Sequence, residues 1–267
     1  MWWRRALILT HVIRQAVRAP RERSTRWDRF WAATSVTGDG GDVLWDPSTT
    51  DEVAQHVNRL LDHANTELPV IDVGCGNGRF TRALALRFPR AIGVDLSASA
   101  VQLAERESSG FHNVSFRALD MTDPDAGRAL RAEFGECNVF IRGVLHVLSA
   151  GDRRRVSANL QEVTGSAGTL LMAETNFTGS LLGYFESLGA DARGIPGPLA
   201  RAISAGIPRP RAFAGAELDE AFPRSLWERV LVATTDIRTV PMSGAARPDT
   251  VPGFLAVLRT GRDDRRG

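Results

Sequence analysis

The chain has 267 residues, 43% of them hydrophobic, with 33 basic and 31 acidic side chains for a net charge of +2. That is enough to bury a real core as one large domain, or as one domain with a smaller accessory part, and too balanced for a polyelectrolyte binder. Every basic residue is Arg, which excludes Schiff-base chemistry and a phosphate-binding P-loop lysine. Cys75 and Cys137 make neither a disulfide framework nor a zinc site; both read as small core residues rather than reactive thiols, and no metal is expected.

Residues 1–20 have an amphipathic helical pattern. Trp2, Ala6, Leu9, Ile13 and Ala16 or Val17 fall on one face, with Arg4, Arg5, Arg14 and Arg18 available to the other. Such a helix lies on an anionic membrane, or packs on its own domain or on a second copy in a homodimer. Its apolar stretch "ALILT" is too short for a signal peptide, and no segment approaches the ~20 apolar residues of a membrane span, so a cytoplasmic protein is expected. Residues 26–46 place Trp27, Trp31 and Trp45 among Gly and Asp and read as a lid, completing an N-terminal helical cap over residues 1–50.

From residue 51 the pattern becomes regular. "DEVAQHVNRLLDHAN" is a helix, "PVIDVG" a strand and "RFTRALALRF" a helix. "AIGVDLS" and "VSFRALDM" are strands around the helix "ASAVQLAERESS". "NVFIRGV" and "GTLLMAETN" are strands around the helix "DRRRVSANLQEVTG". This alternation predicts a doubly wound α/β sandwich. Two short helical patterns in 177–210 then form an insertion over the carboxyl edge of the sheet, where ligands bind in open α/β folds. "WERVLVATTDIRTVPM" and "VPGFLAVLRT" close the sheet as an antiparallel hairpin, making seven strands in a domain of residues 51–267.

The stretch "VIDVGCGNGRF" sets a strand against Gly74, Gly76 and Gly78. Glycine admits unusual dihedrals and close approach to the backbone, so the loop marks a nucleotide site. A dinucleotide fingerprint needs a third glycine where Arg79 stands, and Asp72 would repel a pyrophosphate. A phosphate-free ligand with a positive group suits this loop. "VIDVGCGNGRF", "GVDLS" and "FRALDMTDP", in that order from about Val70 to Thr175, resemble motifs I to III of the class I S-adenosylmethionine-dependent methyltransferases, with their Rossmann-like fold.

The resemblance implies S-adenosylmethionine as cofactor and S-adenosylhomocysteine as product. Asp72 would hold the ammonium, while Gly74, Cys75, Gly76 and Gly78 form the loop. Asp95 would accept both ribose hydroxyls and Asp120 the adenine amine; Leu96 and Met121 would sandwich the ring. "IRGVLHVLS" puts Arg142, Gly143 and His146 beside the methyl group. It lacks the Asn/Asp-Pro-Pro-aromatic motif of nucleobase amine methylation, and neither cysteine suits carbon methylation of pyrimidines.

His146 is either a general base or a histidine packed beside the cofactor. Glu174 and Asn176 end a strand and reach the pocket edge, to orient the acceptor or to cap the next helix. His11, His56, His63 and His112 are expected to be solvated. Tyr184, the only tyrosine, joins Phe177 and Phe185 in the insertion. Aromatic covers on both sides suggest an enclosed apolar site for a small-molecule acceptor, such as a secondary metabolite or a lipid-like compound, methylated on oxygen or nitrogen. Nucleic acid is the less favoured partner, since the near-neutral charge argues against it. An RNA methyltransferase and a non-catalytic cofactor-binding regulator are the rival readings.

Overall fold

The computed structural model describes residues 2–17, 19–38, 41–46, 50–239 and 249–261, with residues 2–4, 238–239 and 249 as backbone only. Seven strands form one sheet in the order β3-β2-β1-β4-β5-β7-β6, with ranges β1 70–73, β2 91–95, β3 114–118, β4 138–142, β5 170–175, β6 227–239 and β7 249–260. The first five run parallel, and β7 inserts antiparallel between β5 and β6. Strands β1, β2 and β5 are buried along nearly all their length, as expected of Val/Ile/Leu-rich strands covered on both faces.

Helix α3 (50–61) leads into β1, and α4 (79–85), α5 (98–107) and α7 (150–164) connect later strands, where the periodicity places them. Two of them start on serine caps: Ser97 accepts from Ala100 N–H, and Ser149 from Asp152 N–H. The insertion holds α8 (181–187) and α9 (197–205), two short helices as expected.

Three helices escaped the sequence reading: α2 (23–32), α6 (126–134) and α10 (215–221). Helix α2 falls within the segment read as a lid. Its 10 residues bury only Phe30 and Trp31, adjacent positions with no helical period between them.

Helix α1 spans Trp2–Ala16, but its buried face is Ile8 and Val12, packed with α9 residues such as Leu199 and Ile203. Leu9, Ile13 and Val17, expected inside, are exposed and leave an apolar stripe in solvent. The side chains of Trp2 and Arg4, Arg18, the turn 240–248 and the tail 262–267 lie outside the described residues. His56 is also a correction. It is a core residue, edge-on to Phe80 and Phe140, with Nδ1–H donated to Glu52 O at 2.9 Å. Among the described residues no helix is long and apolar enough to cross a membrane.

Candidate active site

The loop after β1 is stitched to β2 by Gly74 N–H and Cys75 N–H, which donate to Val94 O at 2.8 and 3.1 Å. What crowds its glycines is the protein itself. A Cβ at Gly76 would sit 2.7 Å from the Trp31 ring of α2, and one at Gly74 would overlap Val144 after β4. Gly78 has φ +75° and a Cβ there would meet Phe116 of β3 at 2.8 Å. Gly78 does not line the cavity beside the loop, so its expected place in the cofactor contacts is corrected to a packing and turn position.

The acids gather around this cavity. Asp95 accepts Gly76 N–H at 3.0 Å on one oxygen and Ser97 N–H at 2.9 Å on the other, so the end of β2 holds the loop after β1. Burial raises its pKa, and these amides oppose the shift. Asp72 lies within β1, buried, and accepts the Thr81 hydroxyl at 2.6 Å; burial, assisted by repulsion from Asp95, pushes it up to about 7. Asp120 follows β3. Burial works against its ionised form, but bonds from Thr122 and from the Arg23 guanidinium of α2 hold it below the usual carboxylate range.

Cys75, Leu96 and Met121 line the same cavity; burial raises the Cys75 thiol well above its ordinary value, so it stays protonated. Thr81, Arg23 and Asp46 were missed by sequence reasoning. Asp46 is a buried cap carboxylate that accepts Gly38 N–H at 2.7 Å and faces the cavity. Thr81 carries a usable signal, the first helical turn nine residues after Asp72. Arg23 and Asp46 come to the site from far away in the sequence, Arg23 through its bond to Asp120 and Asp46 as part of the cavity lining.

Arg142 was expected on the cofactor, but its fork is already engaged. Nη2 donates to Glu52 Oε1 at 2.7 Å and Nη1 to Trp45 O at 2.8 Å, with the side chain 7% exposed. It forms part of the wall shared by the first cavity and a second one. Gly143, Val147, Trp27 and Trp45 belong to both.

The second cavity, about 370 Å³, lies under α1, α8 and α9 and is lined almost wholly by apolar side chains. His146 and Tyr184 are among its polar groups. Tyr184 stacks edge-on with Phe177 at 5.3 Å, and burial raises its hydroxyl pKa, which keeps it neutral.

Glu174 does not reach the pocket edge. It is fully buried and lines neither cavity, and Asn176 lines neither as well. Its carboxylate accepts the backbone N–H groups of Val144, Leu145 and His146 at 3.1, 2.9 and 3.1 Å, and the His146 Nδ1–H at 2.6 Å. With three backbone N–H donors already on the Glu174 carboxylate, it acts as the acceptor for the ring as well, which makes Nδ1 of His146 the donor nitrogen of this contact. Glu174 therefore positions His146 and the turn after β4 rather than touching a ligand.

These features sit in a chain with broad likeness to known proteins. Residues 64–193 match the family model described as a methyltransferase domain. A solved S-adenosylmethionine-dependent methyltransferase from Anabaena variabilis is 28% identical, with a TM-score of 0.79 over 91% of this chain and 97% of that one. A structure solved for the conversion of a disulfide bond into a thioacetal group during echinomycin biosynthesis is 20% identical, with a TM-score of 0.60 over 82% of this chain and 86% of its own, a likeness of fold. A 23S rRNA (uracil(1939)-C(5))-methyltransferase from Marinomonas posidonica is 43% identical over 61 residues, which are 22% of this chain and 14% of that protein's length.

Proposed function

We propose that this chain, which belongs to the class I S-adenosylmethionine-dependent methyltransferases, transfers a methyl group to oxygen or nitrogen of a small apolar acceptor held in the second cavity. The observation that carries this reading is the wall that the two cavities share at Gly143, with His146 oriented toward the larger one.

The residues of the first cavity suit the cofactor. Two carboxylates, Asp72 and Asp46, answer a cationic amino-acid end without a phosphate clamp; Asp95 offers acceptor oxygens to a diol; Leu96 and Met121 supply apolar faces for a base. When bound, S-adenosylmethionine supplies an electrophilic methyl carbon on a sulfonium. His146 Nε2 takes the proton of the acceptor O–H or N–H as that atom gains the methyl, and Glu174 stabilises the imidazolium through Nδ1–H. The cap of residues 1–50 and the insertion 177–210 exclude water and orient the acceptor. Proximity supplies much of the acceleration in such a displacement.

An enclosed apolar cavity favours a metabolite or lipid-like compound over an extended polyanion. The test is label transfer from methyl-labelled S-adenosylmethionine into fractionated extract, with H146Q beside the wild-type chain. Label in a low-molecular-weight apolar fraction, lowered about 10²-fold or more by H146Q with cofactor affinity kept, supports the proposal. Label confined to RNA, or tight cofactor binding with no transfer into any fraction, overturns it.

A further inference from the structure

The charges on the second cavity are one-sided. Among the described residues its lining contains two arginines, Arg142 and Arg209, and no Asp or Glu. Arg142 is neutralised by Glu52 at 2.7 Å. Arg209 forms no ion pair among the described residues, stands exposed at the rim, and lies between Pro208 and Pro210, whose rings fix the local φ. The same segment is tied to the candidate base, since Arg211 N–H donates to His146 O at 3.1 Å. The backbone segment that carries Arg209 is thus tied to the turn that carries His146.

We infer that the acceptor is amphipathic: an apolar body with one anionic group, such as a carboxylate, which Arg209 holds at the rim while a separate O–H or N–H lies at His146. The inference rests on the methyl-acceptor reading of this cavity. Its chemistry follows from the walls. An apolar cavity of about 370 Å³ has room for roughly a dozen water-sized groups, enough for a medium-length chain or a fused ring pair. Such a body has little to fix its direction, because apolar contact is non-directional. A single guanidinium at one end supplies the direction, with its planar fork matched to a carboxylate. The anion is the anchor and not the attacking atom, since Arg209 lies at the rim and the His146 ring lies beside Gly143 of the wall shared with the first cavity.

The test uses the full chain with S-adenosylhomocysteine present and three probes of one length: decanoate, decan-1-ol and decyltrimethylammonium. Binding is followed by the fluorescence of Trp27 and Trp45, which line the cavity, with calorimetry as a check. Decanoate is expected to bind at least tenfold tighter than decanol at low salt, and decyltrimethylammonium more weakly than decanol. R209A and R209Q are expected to abolish the decanoate preference while leaving decanol affinity within about twofold. Equal affinity for decanoate and decanol, a preference that survives both variants, or no binding of any probe overturns the inference. Affinity for S-adenosylhomocysteine is measured in parallel. Its loss in the wild-type chain defeats the methyltransferase reading itself, whereas its retention without an anionic preference defeats only the anchor.

Discussion

Asp72 offers a stringent test, because stability and cofactor affinity should respond to it with opposite signs. Its carboxyl titrates at about 7 in the folded chain, raised by burial and then by Asp95, against about 3.9 in an unfolded one. The proton held by the native state contributes stability that is full below about pH 4 and is lost as pH rises through about 7, on the order of 4 kcal/mol in all. A cofactor ammonium beside Asp72 reverses the preference by favouring the carboxylate. Cofactor affinity should therefore climb between pH 5.5 and 7, by up to about tenfold per pH unit, with a proton released on binding. It should level off above 7, then decline as an α-amino group deprotonates near 8. D72N keeps an oxygen to accept the Thr81 hydroxyl but removes the charge. It should melt higher than the wild-type chain at pH 8, bind the cofactor more weakly there, and lose the climb between 5.5 and 7. Calorimetric titrations in two buffers of different ionisation enthalpy count the released proton, and thermal melts give the stability arm. A wild-type affinity flat from pH 5.5 to 7, or a D72N chain that keeps the slope, would refute the assignment of the ammonium to Asp72.

Three further outcomes follow from the same geometry. D95A should weaken cofactor binding more than tenfold, about 1.4 kcal/mol or more, by calorimetry; unchanged affinity would mean that the ribose is held elsewhere. G78A should cost about 1–3 kcal/mol in denaturant melts, because it combines φ +75° with a Cβ 2.8 Å from Phe116. Adding F116L should restore part of that loss, and a G78A chain as stable as the wild type would show that the turn relaxes. R23A removes the bond between α2 and Asp120 and should speed release of S-adenosylhomocysteine at least threefold in stopped flow; an unchanged rate would mean that α2 does not restrain the ligand.

Local signals in the sequence account for most of the sheet. Strands β1, β2, β4 and β5 are short apolar runs bounded by turns, and the terminal hairpin shows as two long runs of β-formers. The sequence could also bring the three acids to one cavity, because Asp72 stands one residue inside the end of β1, Asp95 ends β2 and Asp120 follows β3, at the edge where an open α/β fold presents its ligands. Side-chain roles after β4 were harder. Glu174 at the end of β5 has the look of a pocket acid, yet β4 and β5 are neighbours, with Arg142 in register with Ala173. The turn 144–146 therefore curls over Glu174 and consumes its oxygens. Nothing in residues 138–147 read alone announces an acceptor waiting 28 to 30 positions later.

Helix α1 shows a limit of a different kind. Its apolar residues occupy almost every side of the helix, so the period allows more than one buried face, and packing against α9 selects Ile8 and Val12. Helix α2 shows why the cap was opaque although its tryptophans were conspicuous. Its contacts with the sheet are single residues, each aimed at a different strand end: Trp31 on Gly76 after β1, Asp28 on Ser97 and Ser99 after β2, Arg23 on Asp120 and Thr122 after β3. One helix thus closes over the loops that follow three parallel strands, beside Asp72 in β1, Asp95 at the end of β2 and Asp120 after β3. The bare glycine at 76 makes room for the Trp31 ring as much as for any ligand. A side chain there would lift α2 from the sheet and separate Arg23 from Asp120, so the loop after β1, the Asp120 carboxylate and the cap form a single mechanical unit.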